Sequence, residues 1–173
     1  MHIGNRRLFF AFWPDERVRA DLKSARNQLF PLSGRPVDPD NLHVTAAFLG
    51  TVRDTRLAAL STLCGPVPRL CIKLDRLEHW PRQRVLVAAT THVPDDVRQL
   101  VDALWQRLDR LGFVRDPRPF KPHVTLMRDI RSLRPNLPWA PLAWPVDRVE
   151  LVESVSTPEG VRYSVINLKG TGP

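Results

Sequence analysis

The chain is predicted to form an α+β layered domain with mixed or antiparallel sheets. Three observations lead there. Short apolar runs of strand length alternate with segments of helical periodicity. No glycine-rich phosphate loop follows any of these strands, so a dinucleotide-binding parallel sheet and a P-loop are both excluded. Landmarks of the first half recur at one fixed offset in the second, which predicts two related lobes. At 173 residues, with 43% hydrophobic and 25% charged residues, the chain has the size and composition of one globular domain, residues 1–173.

Leu8 to Trp13 is an apolar and aromatic run, read as a buried first strand. Pro14 suits the first position of a helix, with Asp15 and Glu16 in its first turn. Val18, Leu22, Ala25 and Leu29 follow at helical spacing, and Pro31 and Gly34 end that helix. Leu42 to Leu49 reads as a strand closing on Gly50, and Asp54 as the cap of a short helix carrying Leu57, Leu60 and Cys64. Leu70, Ile72 and Leu74 alternate with polar neighbours, a half-buried strand, and Val85 to Thr90 is another β-rich run. Pro94-Asp95-Asp96 opens the clearest helix. Val97, Leu100, Val101, Leu104, Leu108 and Leu111 line one of its faces, and Gly112 lies just past its end. His123 to Arg128 is a strand. Pro135 to Pro145 is a proline-rich loop holding Trp139 and Trp144. Val149–Ser154 and Val161–Leu168 form a closing hairpin around Pro158-Glu159-Gly160.

Twenty-six Lys and Arg against eighteen Asp and Glu leave a net charge of +8. A basic surface fits a polyanion such as RNA, although an arginine-rich chain with 17 prolines also fits a bias of genome base composition. No apolar run approaches the ~18–20 residues of a spanning helix, so no membrane role is expected. Cys64 and Cys71 form no Cys-x-x-Cys pair, which points to a reducing compartment. Arg6-Arg7 resembles a twin-arginine signal only superficially. The apolar stretch behind it is six residues long, short of the ~7–15 of a signal core, and it ends in Pro14-Asp15-Glu16-Arg17. A cytoplasmic monomer is expected.

The repeat carries the functional reading. Pro14-Asp15 recurs as Pro94-Asp95, Pro39 as Pro119, and His43-Val44-Thr45 as His123-Val124-Thr125, each eighty residues on. The unit is strand, Pro-Asp helix, loop, His-Val-Thr strand, and we read it as an internal duplication. Side chains alternate along a strand, so His43 and Thr45 share a face, as do His123 and Thr125. Two such lobes facing one cleft gather two imidazoles and two hydroxyls. Imidazole titrates near ~6.5, so one ring can be neutral while the other is protonated. In-line displacement at phosphorus needs a base on one flank and an acid on the other. Threonine hydroxyls can donate to the non-bridging oxygens, where charge gathers in the transition state. No metal or cofactor is required. One His-x-Thr alone is a weak signal; two in matched context are a strong one. His2, His79 and His92 lack that context, and no His or Cys pair has zinc spacing.

At these residues the chain resembles the two-histidine (2H) phosphoesterase superfamily. More closely it resembles the LigT-like RNA 2′,3′-cyclic phosphodiesterases, also called 2′-5′ RNA ligases. Arg7-Leu8-Phe9-Phe10-Ala11 with Trp13-Pro14 is similar to the family's opening. Asn41-Leu42-His43-Val44-Thr45 with Phe48-Leu49-Gly50 resembles the first signature, and Arg118-Pro119-Phe120-Lys121-Pro122-His123-Val124-Thr125-Leu126 with Arg128 the second. Ser154 and Tyr163 sit where the closing hairpin is expected. Ala46 stands where leucine is usual, a difference expected to affect only packing.

The resemblance implies a bilobal fold with a cleft between pseudo-symmetric lobes, and hydrolysis of a ribose 2′,3′-cyclic phosphate to a 2′-phosphomonoester. It implies that His43 donates a proton to the departing 3′ oxygen, that His123 accepts one from water, and that Thr45 and Thr125 hold the phosphate. In-line geometry alone says only that the two histidines act oppositely. Reversing them gives the reverse reaction, the joining of ends through a 2′-5′ bond. The implied partners are RNA ends carrying a 2′,3′-cyclic phosphate, tRNA halves among them, or related nucleotides.

Arg128 is a phosphate-binding candidate, but it stands an odd five residues after His123 and needs a bulge, or the end of the strand, to reach the cleft. Phe48 shares the parity of Val44 and is expected in the core; Phe9, Phe48 and Phe120 are left out of the site. Lys121 and Arg118 are either steering cations or solvated loop residues. Two other readings stand beside this one: an RNA-binding protein without turnover, and a phosphodiesterase acting on small cyclic nucleotides.

Overall fold

Alternation along β1 (Asn5–Phe12) turns Leu8, Phe10 and Phe12 into the main core, while Phe9 and Ala11 pack with Val152 on the opposite face. The strand is thus buried on both sides. In the computed structural model, which describes residues 4–30, 32–133, 137–158 and 160–166, β1 lies inside a five-stranded sheet. Its order is β3 (Val44–Arg53), β1, β8 (Leu142–Thr157), β4 (Gly65–Leu74), with β9 (Gly160–Val165) also paired to β8. The second sheet has the order β2 (Arg35–Pro36), β7 (His123–Arg128), β6 (Val85–Ala89), β5 (Arg76–Trp80). Every pairing is antiparallel. The helices are α1 (Glu16–Asn27), the short α2 (Leu57–Ser61) and α3 (Asp95–Arg110). One continuous core joins both sheets to α1 and α3.

The strand pairs that carry the two His-Val-Thr motifs match in register. Phe12, Ala11, Phe10 and Phe9 of β1 face Val44, Thr45, Ala47 and Phe48. Ala88, Val87, Leu86 and Val85 of β6 face Val124, Thr125, Met127 and Arg128. Both pairs share a register slip at the same step, leaving Ala46 in β3 and Leu126 in β7 as the extra residue of a bulge. β3 runs on past Gly50 to Arg53, through a second slip at which Gly50 takes a φ of 72° that favours glycine.

Several expectations change. Asp15 caps α1, its carboxylate accepting from Val18 N–H at 2.7 Å, and Pro94 is the cap residue of α3, so neither proline is the first helical residue. Asp54 opens a 3-10 turn ahead of α2 and pairs with Arg6 rather than capping with its side chain. Trp144 is 1% exposed in β8 and not in a loop. The prolines there misled: among the described residues β8 has a partner on one side only over Leu142–Val149, and an open strand edge tolerates Pro145. The same tolerance lets β4 begin at Gly65, through Pro66 and Pro68. β5 is a strand the sequence hides, because Arg76-Leu77-Glu78-His79-Trp80 at a sheet edge shows no apolar alternation. Trp105, off the predicted stripe of α3, is buried with it. Pro31, Pro135, Glu159 and Leu168 lie outside the described residues.

Candidate active site

The strand registers decide which side chains reach the space between the sheets. His43 stands just before β3 and His123 opens β7. Both line one cleft of about 1110 Å³, together with Thr45, Thr125 and Arg128. The bulge at Leu126 supplies the shift of face that Arg128 needed. The matching bulge at Ala46 does the same for Phe48, which is 50% exposed and lines the cleft; its expected core place falls to Ala47. Counting by twos fails at the bulge, and Ala46 is that bulge residue.

The two imidazoles are held alike. The Nδ1–H of His43 donates to the Asn41 carbonyl at 2.7 Å, and that of His123 to the Lys121 carbonyl at 2.8 Å. Each carbonyl lies two residues upstream, and each bond leaves Nε2 for chemistry. The His43 Nε2 is met by the Thr45 hydroxyl at 3.1 Å. Among the described residues the His123 Nε2 has no protein partner.

Their surroundings differ. Trp13 stacks on His43 with ring centres 5.7 Å apart, Phe9 leans on it at 4.9 Å, and Tyr163 meets it edge-on at 4.9 Å. Burial therefore pushes the His43 imidazole down to about 4, against the pull of the Asn41 carbonyl and with added repulsion from His123 and Arg128. His123 lies against Trp80 at 4.5 Å. Burial lowers it too, opposed by its bond to the Lys121 carbonyl; the Lys121 ammonium lowers it further and the Glu78 carboxylate raises it.

Sequence reasoning missed several cleft residues. Arg7 lies beside Phe48, its guanidinium carbon 5.0 Å from the ring centre. Strict alternation along β1 puts Arg7 on the face of Phe9, and that signal was available. Arg35 and Arg162 add two more cations, and Ser154, Ser156 and Tyr163 line the hairpin wall. Phe120 packs against the core. Lys121 and Arg118 do not line the cleft; Lys121 pairs with Glu78 and Arg118 with Asp116.

Two antiparallel sheets presenting paired His-x-Thr motifs to one basic cleft define a two-histidine phosphoesterase. The chain belongs to the 2′-5′ RNA ligase superfamily, whose family model matches residues 14–158. It is similar to the RNA 2′,3′-cyclic phosphodiesterase of Escherichia coli (strain K12), at 40% identity over 126 residues, 71% of this chain and 72% of the relative. The RNA 2′,3′-cyclic phosphodiesterase of Thermus thermophilus is 32% identical over 176 residues, 92% of this chain and 87% of the relative. The crystal structure of E. coli LigT complexed with 3′-AMP superposes with a TM-score of 0.82 at 33% identity, covering 95% of this chain and 97% of that one.

Proposed function

We propose that the chain is an RNA 2′,3′-cyclic phosphodiesterase that opens a terminal cyclic phosphate to a 2′-phosphomonoester by two-histidine acid–base catalysis. One observation carries the reading: both imidazoles line a single cleft, each tied through Nδ1 so that Nε2 is left for proton transfer. His123 Nε2 takes a proton from water as its oxygen attacks phosphorus. The bond from phosphorus to O3′ breaks, and His43 gives its proton to O3′. Thr45 and Thr125 donate to the non-bridging oxygens, and the Arg128 guanidinium offsets the charge that grows on them. A 5′-hydroxyl in place of water gives a 2′-5′ bond in the same site with His123 and His43 keeping these roles; the exchange of roles expected from the sequence belongs instead to cleavage of that bond back to the cyclic phosphate.

The cleft also bears on the substrate. Small-molecule pockets hold roughly 300–1,000 Å³; this one reaches about 1110 Å³ and is lined by Arg7, Arg35, Arg128 and Arg162. Set against Asp38 and Asp40, these arginines leave the cleft with an excess of positive charge, which favours an RNA end with several phosphates over a lone nucleotide. Phe48 offers its ring to a base, with Arg7 beside it. The matched registers of β1/β3 and β6/β7 support descent of the two halves from one duplicated unit, and one chain supplies both histidines, so a monomer suffices. No helix among the described residues is long and apolar enough to cross a membrane. The free thiols Cys64 and Cys71 favour a reducing, cytoplasmic setting.

The test is an oligonucleotide ending in a 2′,3′-cyclic phosphate, incubated with the protein in EDTA. A terminal 2′-phosphate is the expected product, and the His43→Ala His123→Ala double variant should give none. Loss of activity on chelation, or its survival in the double variant, contradicts the mechanism. Binding without turnover would leave an RNA-binding protein.

A further inference from the structure

Asn41 closes the 3-10 turn Pro39–Asn41, two residues before His43, and the proposed chemistry makes no use of its side chain. That side chain nevertheless reaches another element with both of its polar atoms. Nδ2 donates to the Val161 carbonyl at 2.7 Å, and Oδ1 accepts from the Tyr163 N–H at 3.0 Å. β8 already pairs β9 on one side, so the amide occupies the outer edge of β9, offering a donor and an acceptor as a neighbouring strand would. The Asn41 carbonyl in turn accepts from His43 Nδ1. Tyr163, whose N–H is gripped, sets its ring edge-on against the same imidazole.

We infer that Asn41 is a positioning residue that fastens the β8–β9 hairpin to His43, so that one side chain sets both the cleft wall and the orientation of the imidazole. The inference rests on the reading of His43 as the proton donor. The other lobe solves the same problem with other atoms. The carbonyl holding His123 belongs to Lys121, and the Lys121 ammonium pairs with Glu78 of β5 at 2.6 Å. In each lobe the residue that orients the histidine is itself tied to a neighbouring strand. Without the amide, Asn41 loses both bonds to β9 and its carbonyl is no longer fixed under Nδ1. The ring then samples its other tautomer, with Nδ1 unprotonated and Nε2 protonated at the wrong stage of the cycle.

Two variants and two readouts test this. Asn41→Ala removes both hairpin bonds. Asn41→Asp keeps the size and the acceptor for Tyr163 but sets an oxygen against the Val161 carbonyl. On the cyclic-phosphate oligonucleotide, kcat should fall roughly 10- to 100-fold, as expected for a misplaced catalytic group, with a much smaller change in KM and a displaced alkaline limb in the pH profile. Independently of turnover, ¹⁵N NMR of the imidazoles should show one tautomer of His43, protonated at Nδ1, in the parent protein and a mixture in the variants, while His123 stays unchanged. Melting curves establish that the variants are folded, and Asn41→Asp serves if the alanine variant is not. Folded variants with parental kcat, pH profile and His43 shifts overturn the inference. An inactive parent whose His43 shifts still respond to Asn41 would sink the phosphodiesterase reading and leave the positioning role standing.

Discussion

His43 meets two opposing demands. Aromatic rings on three sides and the facing charges of His123 and Arg128 hold it down to about 4, yet its proposed role needs a proton. A bound phosphodiester anion resolves the conflict, because a negative charge within a few ångströms favours the imidazolium. The free protein keeps the ring neutral, and the substrate recruits its proton. Burial of the ring also leaves a trace in stability. The folded value lies below the unfolded value near 6.5, so the unfolded chain binds the proton more readily. Stability is therefore unaffected by this group above about pH 6.5 and falls as pH drops from there towards about 4, by at most about 3 kcal/mol. Urea midpoints measured across that range should show the decline, and His43→Gln should flatten it; an equal slope in both proteins contradicts the burial argument. The histidines and threonines were legible in the sequence because a repeated His-x-Thr fixes residue type and spacing together. The aromatic enclosure was not, since Phe9 and Trp13 of the first apolar run meet His43 and Tyr163 of β9 only in the fold.

The bulges in β3 and β7 make the site. Each adds one residue just after His-x-Thr, and each turns the residue at the fifth position into the cleft. The two strands diverge there: one offers the cation Arg128, the other the aromatic Phe48. Equivalent positions should then fail differently. Arg128→Ala should lower kcat by roughly 10²-fold through loss of transition-state charge stabilisation. Phe48→Ala should chiefly raise KM, by roughly 5- to 150-fold if a stacked base is worth ~1–3 kcal/mol. Steady-state kinetics on one oligonucleotide separate them, and a kcat effect at Phe48 with none at Arg128 would contradict the assignment. A bulge is nearly silent in sequence, because alternation counted by twos assumes it away. The odd offset of Arg128 raised a bulge in β7 beside the alternative of a strand end; applying the same offset to His43 would have moved Phe48 out of the core. β5 and the first part of β8 were hidden for a different reason. Strands with an open edge carry charge and proline that a central strand excludes, so their composition reads as loop.

Across the whole molecule, a net charge of +8 gathers meaning at the cleft, where Arg7, Arg35, Arg128 and Arg162 stand among the lining residues. If Arg35 and Arg162 track the backbone of an RNA strand, KM for an oligonucleotide should rise with salt more steeply than KM for a nucleoside 2′,3′-cyclic phosphate. Each of Arg35→Ala and Arg162→Ala should then reduce that slope by roughly 0.7 for every phosphate it no longer neutralises. Equal slopes for the two substrates would favour a small-nucleotide enzyme. The charge was legible from composition, but its location was not, because the four arginines come from β1, β2, β7 and β9. The central claim is a division of labour between two rings, and the pH dependence of kcat, which reports the substrate complex, in the two single variants tests it most directly. The parent should give a bell. His123→Ala, lacking the base, should lose the acidic limb alone, and His43→Ala, lacking the acid, should lose the alkaline limb alone. Loss of the same limb in both variants, or bells that survive intact, would contradict it.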